Sequence, residues 1–259
     1  VSLARRSRAI GAELFVLDDG WFGHRDTDSQ GLGDYSENRR RLTHGLKGVA
    51  DAVTSLGMGF GLWFEPEMVN PDSDLYREHP DWIVRVPGRT PSQKRYQYVL
   101  DLCRPEVRDH IVANVTRILD TLPIAYVKWD ANRAFSDMFS PSCPAGEFGH
   151  RYILGLYEVL RRIFGPRPQV LLETCSSGGN RFDLGMLCFG PQIWASDCTD
   201  PVARLETHLG LSHLYPQSTM GSHVTASPSP VTLRNTPVVT RFNVAALGVL
   251  GYELDLSRI

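Results

Sequence analysis

Ile124-Ala125-Tyr126-Val127-Lys128-Trp129-Asp130 decides how this chain is read. An apolar, partly β-branched run of strand length stops abruptly in a cation, an indole and a carboxylate. Gln192-Ile193-Trp194-Ala195-Ser196-Asp197 repeats the design downstream: apolar run, aromatic, acid. Parallel α/β barrels carry their chemistry at the C-terminal ends of their strands. Two acids delivered to such ends are what cleavage of a glycosidic bond requires.

Around these segments, strand-like runs at 13–17, 60–64, 125–129, 170–173, 192–195, 214–217 and 248–254 alternate with helical patterns such as 45–56, 105–121 and 152–164. That alternation predicts βαβ units and a parallel sheet. Seven strands follow an orphan helix with Leu3, Ala4 and Ile10 apolar and Arg5, Arg6 and Arg8 polar. The economical reading is an α/β fold, a (β/α)8 TIM barrel lacking its first strand. A doubly wound open sheet competes, but it concentrates its site at one switch point, whereas here acids, Trp and Lys recur at many strand ends. Polar insertions at 23–44 and 70–97 predict long loops that shape an active-site mouth.

A length of 259 residues suits one barrel domain, 1–259, because barrels of about 250 residues form single domains. The net charge of −2 gives no reason to expect nucleic acid. No apolar stretch approaches the roughly 20 residues of a membrane span, so no membrane partner is expected. The N-terminus has no signal-peptide core, and lacking an initiating Met the chain reads as part of a longer protein. Cysteines 103, 143, 175, 188 and 198 are odd in number and show no CxxC spacing, which suggests neither a disulfide framework nor a zinc site. A reducing, cytoplasmic setting is the default expectation.

Several strand ends carry candidate chemistry. Asp18 and Asp19 close the apolar run Leu14-Phe15-Val16-Leu17; they read either as turn formers or as acceptors for sugar hydroxyls. Trp63 reads equally as core or as a platform for the apolar face of a pyranose. Glu65 and Glu67 read as supporting rather than reacting. Lys128 and Asp130 are two apart, so on an extended strand they share a side. An ammonium there would keep Asp130 ionised, as a covalent nucleophile must be; the bland alternative is a strand-end salt bridge. Asn132 and Arg133 continue that loop. Cys175 reads as a packing wall. Gly178-Gly179 lacks the P-loop lysine and fits a close-approach loop around a small ligand better. Asp197 is the second acid, and Asp200 before Pro201 reads as a helix N-cap. The histidines form no H-E-x-x-H signature.

Taken together, Leu-Asp-Asp-Gly-Trp-Phe-Gly (17–23), Gly-Leu-Trp-Phe-Glu-Pro-Glu-Met-Val (61–69), Tyr-Val-Lys-Trp-Asp-Ala-Asn-Arg (126–133), Glu-Thr-Cys-Ser-Ser-Gly-Gly-Asn-Arg-Phe-Asp (173–183) and Trp-Ala-Ser-Asp-Cys-Thr-Asp (194–200) resemble the catalytic barrel of bacterial family 36 α-galactosidases. The resemblance runs nearly the whole chain in order. It implies a retaining hydrolase of terminal α-1,6-linked galactose in melibiose- and raffinose-type oligosaccharides, needing no metal or organic cofactor. By motif position Asp130 is the nucleophile and Asp197 the acid/base. Asp18, Asp19, Trp63, Arg95, Lys128, Asn132 and Cys175 match galactose-contacting positions. The family's glycine-rich loop departs here, with Ser177 after Ser176 and Asn180 at another common glycine; a side chain at Ser177 would narrow the pocket. The resemblance also implies a missing N-terminal β-sandwich and C-terminal β-domain, and a homo-oligomeric parent. Rival readings are an α-N-acetylgalactosaminidase, a raffinose-synthase-like galactosyltransferase, or an inactive barrel fragment.

Overall fold

The computed structural model describes residues 1–258. Nine strands appear: β1 (Leu14–Leu17), β2 (Gly59–Phe64), β3 (Met68–Val69), β4 (Tyr98–Val99), β5 (Ile124–Trp129), β6 (Leu171–Thr174), β7 (Gln192–Trp194), β8 (Met220–Thr225) and β9 (Val249–Glu253). Seven form one sheet in the order β1-β2-β5-β6-β7-β8-β9, and each neighbouring pair is parallel. The order follows the chain without reversing. A doubly wound sheet has to reverse at its switch point, so that alternative is excluded.

The sheet is curled. Glu253 at the end of β9 is held below the usual carboxylate range, first by its His223 hydrogen bond and also by the Lys128 charge on β5. Flat, β5 and β9 would stand four strand spacings apart, roughly 19 Å. An ammonium felt across that gap needs the sheet to bend round. The two chain ends also meet, Arg6 Nη1 donating to the Leu256 carbonyl at 3.2 Å.

Helices α1 (Ser2–Ala9), α2 (Gly45–Thr54), α3 (Asp74–Glu78), α4 (Pro105–Thr121), α5 (Phe148–Phe164), α6 (Leu184–Leu187), α7 (Pro201–Ser212) and α8 (Val238–Ala245) complete the described elements. Pro105 starts α4 where a missing N–H costs nothing. In α5, Tyr152, Leu156, Val159, Leu160 and Ile163 are buried, one apolar stripe at helical spacing against the sheet. Gly155 is required there: a Cβ would lie 2.3 Å from the Leu102 carbonyl. Among the described residues no helix is long and apolar enough to cross a membrane.

One expected strand is wrong. Within 214–217, Leu214 and Tyr215 close α7, their amides both donating to the Leu211 carbonyl, and Gln217 opens a 3-10 turn, Gln217–Thr219. The strand is instead Met220–Thr225, whose Gly221, Ser222 and His223 disguise it in the sequence. Its backbone is held by pairing on both sides, to β7 and β9, a tertiary effect that outweighs composition. The 70–97 insertion is also more ordered than a loop. It holds α3, and its flanks pair as the antiparallel ribbon β3–β4.

Candidate active site

Asp130 follows β5 directly and is 7% exposed. Its amide donates to the Phe64 carbonyl at 2.7 Å, which continues the strand pairing one residue past β5. Its carboxylate collects three donors: Trp63 Nε1 at 3.2 Å and Asn132 Nδ2 at 2.6 Å on Oδ2, and the Ala131 amide at 2.9 Å on Oδ1. A carboxylate so held is fixed in direction and shielded from water.

Lys128 does not perform the task assigned to it. Its ammonium pairs with Asp18 at 2.8 Å, spanning β5 to the end of β1. Burial works against the ammonium, but Asp18 more than offsets it and raises the Lys128 pKa. Strand alternation gave the shared side of Lys128 and Asp130 correctly; the partner came from the next-but-one strand, which no local spacing reveals.

Trp63 is 2% exposed, stacked parallel to Phe22 with centroids 6.1 Å apart. Of its two readings the core one holds, with the N–H turned to Asp130 rather than a face offered to a sugar. Asp19 is gripped by Arg25 through Nε at 2.9 Å and Nη2 at 2.8 Å, and Arg25 is itself buried. Asp18 remains exposed on its other side. Arg95 is not drawn into this cluster: its side chain is 45% exposed and nears Asp28 at 3.9 Å. Its φ of 54° and that of Tyr96 at 58° mark a tight left-handed turn. Cys175 is buried, and burial together with the Asp130 charge pushes its thiol up. A thiol so raised is a wall, not a nucleophile.

Glu65 has a larger part than its sequence position suggested. Its Oε1 accepts the Asn132 amide at 2.5 Å and its Oε2 the Gln97 Nε2 at 3.1 Å, while its own amide donates to the Tyr35 hydroxyl. It therefore fixes the turn from which Asn132 reaches Asp130. Burial, with the Asp130 charge alongside, pushes the Glu65 carboxyl up to about 8. Gln97 Oε1 is buried without a donor; with its amide turned over, that oxygen would accept the Glu65 proton. Between pH about 4.5 and about 8 the folded state then keeps a proton that the unfolded chain has released. Stability accordingly falls as pH rises through that window, by up to about 1.4 kcal/mol per unit. Glu65→Gln should flatten this decline. Thermal melts from pH 4 to 9 test it; a wild-type decline that persists unchanged in the variant would refute the assignment.

Glu67 is a hub beneath the site. It accepts from Trp129 Nε1 at 2.8 Å, Tyr152 Oη at 3.0 Å, and both Arg181 terminal nitrogens at 2.9 Å. Arg181 belongs to the loop after β6, so this fork holds the Cys175–Asn180 segment down.

That loop leans on the backbone bearing Asp197. A Cβ on Gly178 would lie 3.0 Å from Ser196 Cα and 3.1 Å from the Asp197 amide; one on Gly179 would lie 2.7 Å from the Ala195 carbonyl. The Cβ side of Gly178-Gly179 is thus closed by this segment. Ser177 adopts φ 46°, the left-handed region that favours glycine, and its Oγ donates to Asn132 Oδ1 at 3.3 Å. Asp197 is exposed, with Oδ1 receiving Trp194 Nε1 at 3.0 Å. Asp200 caps α7, accepting the Val202 and Ala203 amides with Pro201 at the first helical position.

One buried acid at β5 and one accessible acid after β7, both at C-terminal strand ends, can divide nucleophilic and proton-transfer work. Sequence reasoning missed Arg25, Gln97, Arg181 and Arg204. Each is a polar side chain largely withdrawn from solvent, and only Arg181 lay inside a motif. α-Galactosidase Mel36A of Lactobacillus acidophilus is 49% identical over 261 residues, covering 100% of this chain and 36% of its own length. The crystal structure of the GH36 α-galactosidase AgaA from Geobacillus stearothermophilus superposes with a TM-score of 0.96 at 49% identity, covering 99% of this chain and 36% of its own. A variant of that enzyme solved with raffinose gives 0.97 at the same identity, over 100% of this chain and 36% of its own. The chain thus spans little more than a third of these relatives. The Melibiase family model matches residues 1–259 throughout, and with these relatives in agreement the chain belongs to the Melibiase family of glycoside hydrolases.

Proposed function

We propose that this chain is the catalytic domain, 1–259, of a retaining α-galactosidase that removes terminal α-1,6-linked galactose from oligosaccharides. The reading rests chiefly on Asp130, a carboxylate buried at a strand end with three donors fixing it. Asp130 attacks the anomeric carbon while Asp197 protonates the departing oxygen. Water, deprotonated by Asp197, then releases galactose from the galactosyl-enzyme. Retention requires carboxyl groups roughly 5–5.5 Å apart. Asp18, with Lys128 beside it, stands free to accept a sugar hydroxyl. The AgaA complexes with raffinose and stachyose support the substrate class. The Ser177 side chain, tied to Asn132, occupies space that an acetamido group would need, which favours galactose over N-acetylgalactosamine.

The complete catalytic unit is inferred to be an eight-fold (β/α) barrel whose first strand lies outside this chain, within a homo-oligomeric, cytoplasmic parent. The test is hydrolysis of raffinose and p-nitrophenyl-α-galactoside by the protein at its full natural length, followed by time-resolved proton NMR. α-Galactose appearing first supports retention. β-Galactose first would refute the mechanism, and inactivity on both substrates would refute the substrate class.

A further inference from the structure

Arg204 on α7 is 2% exposed, yet among the described residues it forms no ion pair. A buried guanidinium without a carboxylate is costly unless every donor is used. Here Nη2 donates to the Ser196 carbonyl at 2.6 Å, Nε to the Cys198 carbonyl at 3.1 Å, and Nη1 to the Gly221 carbonyl at 3.1 Å. Nη1 also lies 3.3 Å from His208 Nε2. Ser196 and Cys198 flank Asp197 on both sides, so the fork holds the peptide segment that carries the acid. The same guanidinium sits 4.2 Å over the Trp194 ring, and Trp194 Nε1 grips Asp197 Oδ1 at 3.0 Å. Backbone and carboxylate of Asp197 are therefore both oriented by one stacked pair.

Resting on the reading of Asp197 as acid/base, we propose that Arg204, acting with Trp194, is the positioning residue that aims the Asp197 carboxyl at the departing oxygen. Neither residue donates the proton. The bidentate fork is the reason for arginine: an ammonium in its place is a single point donor that cannot span the Ser196 and Cys198 carbonyls in one plane.

Leaving-group dependence tests this in the full-length protein. Raffinose departs as a sugar alcohol that must be protonated, whereas p-nitrophenolate departs with little help, so a misaimed acid penalises the first far more. Asp197→Ala serves as the reference and should lose kcat/KM on raffinose at least ~100-fold more than on p-nitrophenyl-α-galactoside. Arg204→Lys should show the same bias at roughly 30-fold, and Trp194→Phe, which keeps the ring but removes the donor, roughly 10-fold. Should Arg204→Lys fail to fold, Trp194→Phe carries the test. Parallel losses on both substrates in the Arg204 and Trp194 variants, beside a biased Asp197→Ala, would overturn the proposal. An unbiased Asp197→Ala would instead overturn the acid/base assignment on which it rests.

Discussion

Asp130→Ala is expected to lower kcat/KM for α-galactosides by about four orders of magnitude or more, the scale seen when a covalent nucleophile is deleted. The loss has a specific chemical signature. With the carboxylate gone, the space at its position admits a small external nucleophile, and azide should restore part of the turnover. The azide product should carry the configuration opposite to the substrate's, because only one displacement has occurred. Stability should change less than activity. Trp63 Nε1, Asn132 Nδ2 and the Ala131 amide lose their acceptor, at about 1–3 kcal/mol for each buried donor left unpaired. Water entering the vacated space and removal of a buried charge offset part of that cost. A variant that keeps more than a hundredth of wild-type kcat/KM without azide would remove Asp130 from the mechanism.

Glu67→Ala is expected to have the largest effect on stability, about 3–5 kcal/mol, as for a buried ion pair deprived of one partner. In thermal melts this corresponds to a fall of roughly 10 °C for a unit of this size. Glu67 is fully buried, and its loss strands the Arg181 guanidinium together with the Trp129 and Tyr152 donors. Arg181→Met should also destabilise, leaving a carboxylate buried with two neutral donors. The double variant Glu67→Met with Arg181→Met should recover part of the combined loss, since no uncompensated charge remains. If the two single losses simply add in the double variant, the pair is not the unit described.

Much of the fold was legible because most sheet strands are apolar runs, buried in the middle of the sheet, and the helices are amphipathic. α4 matches its expected span at both ends; α5 begins four residues earlier than read, since Phe148 extends its buried stripe. β8 was missed because Gly221-Ser222-His223 reads as loop until neighbours on both sides pair with it. The acids were legible for a related reason: each interrupts an apolar run at a strand end. What local spacing could not give was partnership. Lys128 finds Asp18 rather than Asp130, Asp19 finds Arg25, and Trp63 turns its edge rather than its face toward the site. Two of those choices join residues 67 and 110 positions apart, and the third crosses a loop. Arg95 was placed only by anchoring on the residues after it, and its side chain stands nearly half exposed by Asp28.

The packing of Gly178 and Gly179 onto the Ala195–Asp197 backbone has a consequence for how such an enzyme can change. On the proposed reading the loop after β6, whose Ser177 reaches Asn132 beside Asp130, is the natural place to alter substrate preference. Yet any side chain added at those two positions would push directly on the peptide that bears the acid. Selection for a new sugar at 178–179 would therefore be felt as a loss of rate before it is felt as a change of preference. Ser177 and Asn180 are also committed, Ser177 Oγ to Asn132 Oδ1 and Asn180 Nδ2 to the Ser176 carbonyl. A library built for new specificity should therefore vary 178–179 together with 195–197 as one inherited piece.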